Sequence, residues 1–127
     1  MNNATSVRLE ELAAANPEYA REAFLFIPEA VDRTVSALPK ARHVTAAELL
    51  EGVRLLAAEK FGAVALEVLT SWGIYTASDV GNLVYLLIGA GILNSSEDDR
   101  REDFDIDFDF KRREVSREAE VALPFID

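Results

Sequence analysis

The sequence predicts a mostly α-helical domain of about five helices, closed by a short β or extended acidic element near residue 110. Three patterns carry this expectation. Apolar residues recur at three- and four-residue spacing through the first ninety or so positions, which is the period of an amphipathic helix. Two capping boxes, Thr45 with Glu48 and Thr76 with Asp79, mark helix starts. Residues 103–110 alternate strictly between aspartate and an apolar side chain, the period of extended chain.

Taken in order, residues 6–15 predict a short first helix with Val7, Leu9 and Leu12 as its apolar contacts. Asn16-Pro17-Glu18 predicts the next start, with Asn as N-cap, Pro at the first helical position and an acid in the first turn. The helix behind it presents Tyr19, Ala23, Phe26, Ile27, Ala30, Val31 and Val35 as an apolar stripe. Pro28 lies within that stripe; its ring removes a helical donor and crowds the preceding turn, so a kink or break is expected there. Residues 38–43 predict a loop.

Thr45 then caps a third helix, with Val44 and Leu49 in the positions of a hydrophobic staple. Tyr75 and Val80 occupy the same positions around the Thr76 cap. Between the caps, Leu50, Val53, Ala57, Phe61, Val64, Val68 and Trp72 follow one helical face. Gly62 predicts a left-handed stop and a restart near residue 63; Gly73 ends that fourth helix. The last helix, residues 77–89, is apolar almost all round, which places it at the centre of the fold or under a partner. Gly81 within it leaves room for a close crossing, and Gly89 and Gly91 form its stop. The longest apolar run, residues 80–93 interrupted by Asn82, is too short to span a membrane.

The chain thus divides into a helical domain (1–94), an acidic Asp/Phe arm packed on it (95–110) and a charged tail with a short apolar end (111–127). At 127 residues it has the size of one domain. It contains no cysteine, so thiolate metal sites and disulfides are ruled out. The N-terminal residues lack the basic start and apolar run of a signal peptide, and a cytoplasmic location is expected. The net charge is −10. Residues 1–94 carry seven basic and eleven acidic side chains, and residues 95–127 carry six and twelve. Such a field repels nucleic acid and acidic membranes and favours a basic protein partner.

Several words of the sequence resemble an uncharacterised family of small proteins from planctomycete and verrucomicrobial genomes. They are Leu38-Pro39-Lys40, Arg42-His43-Val44-Thr45, residues 48–54 (Glu-Leu-Leu-Glu-Gly-Val-Arg), Phe61-Gly62, Trp72-Gly73-Ile74, Asp79-Val80-Gly81 and Phe108-Asp109-Phe110. The resemblance covers about residues 19–110. It implies no activity, cofactor or catalytic residue. Pro28 departs from the family's unbroken helix, and residues 111–127 lie outside its pattern.

Two groups of residues are candidates for contact. Lys40, Arg42 and His43 form a small basic loop just before the Thr45 cap, and a helix N-terminus with flanking cations can hold an anion or a partner's carboxylate. The competing reading pairs Arg42 with Glu48 or Glu51. Phe104, Ile106, Phe108 and Phe110 form the second group, one face of an extended arm that docks on an apolar groove of this domain or of a partner; Tyr85 is a further docking candidate. The same arm admits a calcium reading, with Asp103, Asp105, Asp107, Asp109 and Glu114 at ligand spacing. Phe108 stands where that loop requires glycine, and Lys111 occupies a ligand position, so no metal is expected. Residues 63–110 have the order helix, turn, helix, extended chain, compatible with a winged helix. Yet no Lys or Arg occurs between Lys60 and Arg100, which opposes DNA binding through that face. No phosphate loop, cysteine nucleophile or histidine pair is present, and no cofactor is expected. The sequence therefore points to a non-catalytic interaction or accessory protein with a basic partner, with self-association through residues 80–93 as one possibility. A degenerate winged-helix regulator and a calcium-binding module are the alternatives.

Overall fold

Two capping boxes fix two of the helix starts in the computed structural model, which describes residues 3–40, 42–94 and 100–110. The helices are α1 (Asn3–Ala15), α2 (Arg21–Ser36), α3 (Ala46–Phe61), α4 (Ala65–Ser71) and α5 (Ala77–Gly89), with 3-10 turns at Gly62–Val64 and Arg101–Phe104. The mostly helical expectation holds, and no described residue is in a β-strand. The acidic element is a 3-10 turn followed by irregular chain to Phe110, so the described residues provide no β wing after α5. No described helix is long and apolar enough to cross a membrane. The 111–127 tail expectation, with Lys111 and Glu114, lies outside the described residues.

Both capping boxes form as predicted. The Thr45 hydroxyl accepts from the Glu48 N–H while the Glu48 carboxylate accepts from the Thr45 N–H, and Thr76 and Asp79 do the same for α5. Gly62 ends α3 at φ 58°, and Gly73 turns the chain after α4 at φ 92°. Two starts differ from expectation. The first helix begins at Asn3 rather than near residue 6. The second begins at Arg21, after an uncapped Ala20, rather than at Asn16. The Asn16 side chain points backwards, donating to the Leu12 carbonyl at 3.0 Å. The same carbonyl also accepts from the Asn16 backbone N–H at 3.0 Å, so Asn16 closes the end of α1 and does not open α2. The Ala20 N–H donates to the Trp72 carbonyl at 3.0 Å, a tertiary contact that holds the turn between α1 and α2 against the end of α4. α2 runs through Pro28 without a break. A proline deletes one helical donor, and here burial of the surrounding Phe24, Ile27 and Ala30 holds the helix together.

α5 is the central element. Val80, Leu83 and Leu87 are fully buried, and the helix packs against α2, α3 and the 3-10 turn at Arg101–Phe104. Its buried side chains pack within the chain, while Tyr85, Ile88, Ile92 and Leu93 stay partly accessible. Around it, Phe26 of α2, Phe61 of α3 and Trp72 after α4 form an aromatic cluster with ring centroids 5.4–6.3 Å apart. Such contacts favour edge-on and offset geometries. At the α2–α3 crossing, a Cβ on Gly52 would overlap the Thr34 hydroxyl.

Candidate functional site

The C-terminal element is held on α5 by one steric feature and one polar chain. The steric feature is Gly81. An added Cβ there would lie 2.6 Å from the Cβ of Phe104 and 2.9 Å from its Cγ. The crossing that Gly81 permits is therefore that of Phe104 over α5. Phe104 is 6% exposed as a result.

The polar chain begins at Tyr19. Its hydroxyl donates to Asp79 Oδ1 at 2.8 Å and accepts from Asn82 Nδ2 at 2.9 Å. The Asn82 side-chain oxygen accepts from Arg101 Nε at 2.8 Å, and Arg101 also donates to Asp105 Oδ1 at 2.6 Å. Ser78 completes the set by donating to the same Asp105 oxygen at 2.7 Å. Burial pushes the Tyr19 phenol up to about 12, with the Asn82 donor opposing and Asp79 adding to the rise. The Arg101 guanidinium, helped by Ser78, holds Asp105 below the usual carboxylate range. Hydrogen bonds thus join the turn before α2 (Tyr19), α5 (Asn82) and the 3-10 turn (Arg101). Asp79 both caps α5 and anchors this chain.

Once docked, the C-terminal element forms one wall of a groove of about 570 Å³. Val31 and Val35 of α2, Leu49 of α3 and Val84, Ile88 and Ile92 on or just after α5 give it an aliphatic lining. Phe104 and Tyr85 contribute the aromatic part. Around these stand Asp32, Arg42, His43, Arg100 and Asp103. The volume and the mostly apolar lining with a few polar groups are typical of binding clefts.

The groove brings together residues that the sequence offered separately. Tyr85, Phe104, Arg42 and His43 all line it. Lys40 is exposed and is not among its lining residues. Arg42 is engaged: its fork grips both Glu48 oxygens at 3.0 and 2.8 Å. That guanidinium, together with the Thr45 N–H, pulls the Glu48 carboxyl down to about 2. The Arg42 guanidinium is thus paired with the protein's own Glu48, the competing reading of the basic loop. Phe110 is buried and Phe108 half-buried, with their rings 5.0 Å apart. Ile106, by contrast, is 46% exposed. After the 3-10 turn the chain turns at Asp105 (φ −82°, ψ 62°) and bends at Ile106, so the four apolar side chains do not share one face. Asp105 is tied to Arg101 and Ser78, and the described residues contain no cluster of three or more metal-ligating side chains.

Sequence reasoning missed Asp32, Arg100 and Asp103 as groove residues. Among the described residues, neither the Asp32 nor the Asp103 carboxylate forms a hydrogen bond or ion pair. It also took Tyr19 as part of an apolar stripe. A buried tyrosine needs a partner for its hydroxyl, and Asn82, the one polar interruption in the longest apolar run, was the available signal.

Comparison with protein-family models, with curated proteins and with solved structures finds no match for this chain. The fold and groove define it as a mostly α-helical protein with an apolar, charge-rimmed cleft.

Proposed function

We propose that this chain is a non-catalytic interaction or accessory protein of the cytoplasm whose groove holds an apolar segment flanked by basic residues on a protein partner. The observation that carries the reading is the make-up of the groove: an aliphatic lining edged by two carboxylates, Asp32 and Asp103, that have no partner among the described residues. Arg42 is already neutralised by Glu48, which leaves Arg100 as the one cation opposing those two acids among the groove's described arginines and lysines. Burial of apolar partner surface in such a cleft contributes about 25 cal/mol per Å². The net charge of −10 adds long-range attraction for a basic partner, which salt screens over about 8–10 Å. The resemblance of residues 19–110 to uncharacterised planctomycete and verrucomicrobial proteins brings no activity with it, so the reading rests on the groove.

The test is a titration of the full chain with a helix-forming peptide bearing leucine on one face and lysine on the other. Methyl resonances of Val84, Ile88, Ile92 and Leu93 are expected to shift, and binding is expected to weaken with added salt. Equal binding of the same peptide with glutamate in place of lysine, or shifts confined to other surfaces, would reject the reading.

A further inference from the structure

A second apolar concavity lies elsewhere, between the end of α2 and the outer side of α3. We propose that this face is a self-association surface, and that its occupant is a second copy of the chain. The groove measures about 540 Å³ and is lined by Ala37, Leu38, Ala47, Leu55 and Leu56 together with the methylene stems of its charged neighbours. Leu55 sits in mid-helix and is 54% exposed. It is the one large aliphatic side chain of α3 that is exposed.

Charge decides the occupant. α3 contains three glutamates, Glu48, Glu51 and Glu59, and each is matched by an arginine. Arg42 pairs with Glu48 at 2.8 Å, Arg33 pairs with Glu59 at 2.6 Å, and Arg54 pairs with Glu51. Arg33, Glu48 and Glu51 all border the groove, so its rim is neutral. The chain as a whole has 23 acidic against 13 basic side chains. A basic partner steered by that excess finds no free carboxylate at this rim. Two copies of an acidic chain, in contrast, repel one another wherever unpaired acids meet, and least where the acids are already paired. A two-fold contact through α3 places Leu55 of each copy against the groove of the other, so the same apolar residues serve both sides.

The two grooves respond oppositely to salt. Screening weakens a charge-steered partner in the first groove. It strengthens association of two like-charged copies through a neutral face. Sedimentation equilibrium of the full chain over about 1–500 μM, at low and high salt, reads this directly. A monomer–dimer equilibrium that tightens with salt is expected. Leu55→Glu is expected to weaken it by about a hundredfold, because the lost contact counts twice across the axis and each copy gains an unpaired acid. Position 55 is exposed, and an unchanged melting temperature and helical signal establish that the variant is folded. Ile88→Glu, in the other groove, is expected to leave the dimer constant alone. A strictly monomeric chain overturns the proposal. So does a dimer indifferent to Leu55→Glu, a dimer lost on Ile88→Glu instead, or one that dissociates as salt rises.

Discussion

Gly81→Ala is the substitution for which the structure and general helix preference disagree most sharply. In an isolated helix interior the change stabilises by about 1 kcal/mol. In this fold the new methyl would lie 2.6 Å from the Phe104 Cβ. Carbon atoms in contact sit about 3.5–4.0 Å apart, so Phe104 must retreat by about 1 Å. The retreat exposes part of a ring now 6% accessible, and full burial of such a side chain is worth about 1.5–3 kcal/mol. It also stretches the part-buried Arg101 bond to Asn82, which is 2.8 Å long; a hydrogen bond of this kind contributes about 1 kcal/mol. The net expectation is destabilisation by about 1–2 kcal/mol. For a chain of this size that corresponds to a melting temperature lower by about 3–8 °C. Thermal unfolding followed by circular dichroism measures it. Gly89→Ala provides the contrast, since nothing lies within 4 Å of its added Cβ and its φ is not positive; its melting temperature is expected to hold or rise slightly. In a Phe104→Gly background the clash is gone, and Gly81→Ala is then expected to stabilise. A Gly81→Ala protein that melts at or above the parent temperature would refute the docking of Phe104 on α5.

Three further outcomes follow from the same geometry. Tyr19→Phe removes the hydroxyl between Asp79 and Asn82 and is expected to cost about 1–2 kcal/mol in chemical denaturation. In the parent, the phenol is raised from 10.0 to about 12, so its stabilising effect is complete below pH 10 and lost as pH climbs toward 12; the variant should lack that alkaline loss. At the acid end, Glu48 is lowered from 4.5 to about 2. Its contribution is present above pH 4.5 and disappears as pH falls toward 2, and Glu48→Gln is expected to flatten that part of the stability–pH curve. Along the C-terminal element, Phe110→Ala should destabilise by about 3 kcal/mol because the ring is buried. Ile106→Ser should shift the denaturation midpoint hardly at all, because that side chain faces solvent.

What could be read from the sequence was local. The Thr45–Glu48 and Thr76–Asp79 boxes each close within four residues, so the residue types alone specify both helix starts. Gly62 and Gly73 are read the same way, as positions that take positive φ. Asn16-Pro17 misled for a tertiary reason: the Ala20 N–H is satisfied by Trp72, far along the chain, and Asn16 turns back to Leu12. The alternating Asp/Phe segment misled because packing of Phe104 on Gly81 imposes a 3-10 turn that period-two patterning does not anticipate. Tyr85, Phe104, Arg42 and His43 were each visible as unusual residues. That they line one groove, with Asp32, Arg100 and Asp103 beside them, depends on α2, the start of α3 and residue 104 meeting across long stretches of sequence. No short-range signal encodes such a meeting.

The most direct measurement is a charge swap across the first groove. The double variant Asp32→Lys, Asp103→Lys is compared with the parent for binding of the leucine–lysine peptide and of its leucine–glutamate counterpart. A recognition surface formed by an aliphatic floor and these two carboxylates requires the variant to lose the lysine peptide and acquire the glutamate one, while melting close to the parent. Two proteins with the same peptide preference would show that these carboxylates take no part in recognition.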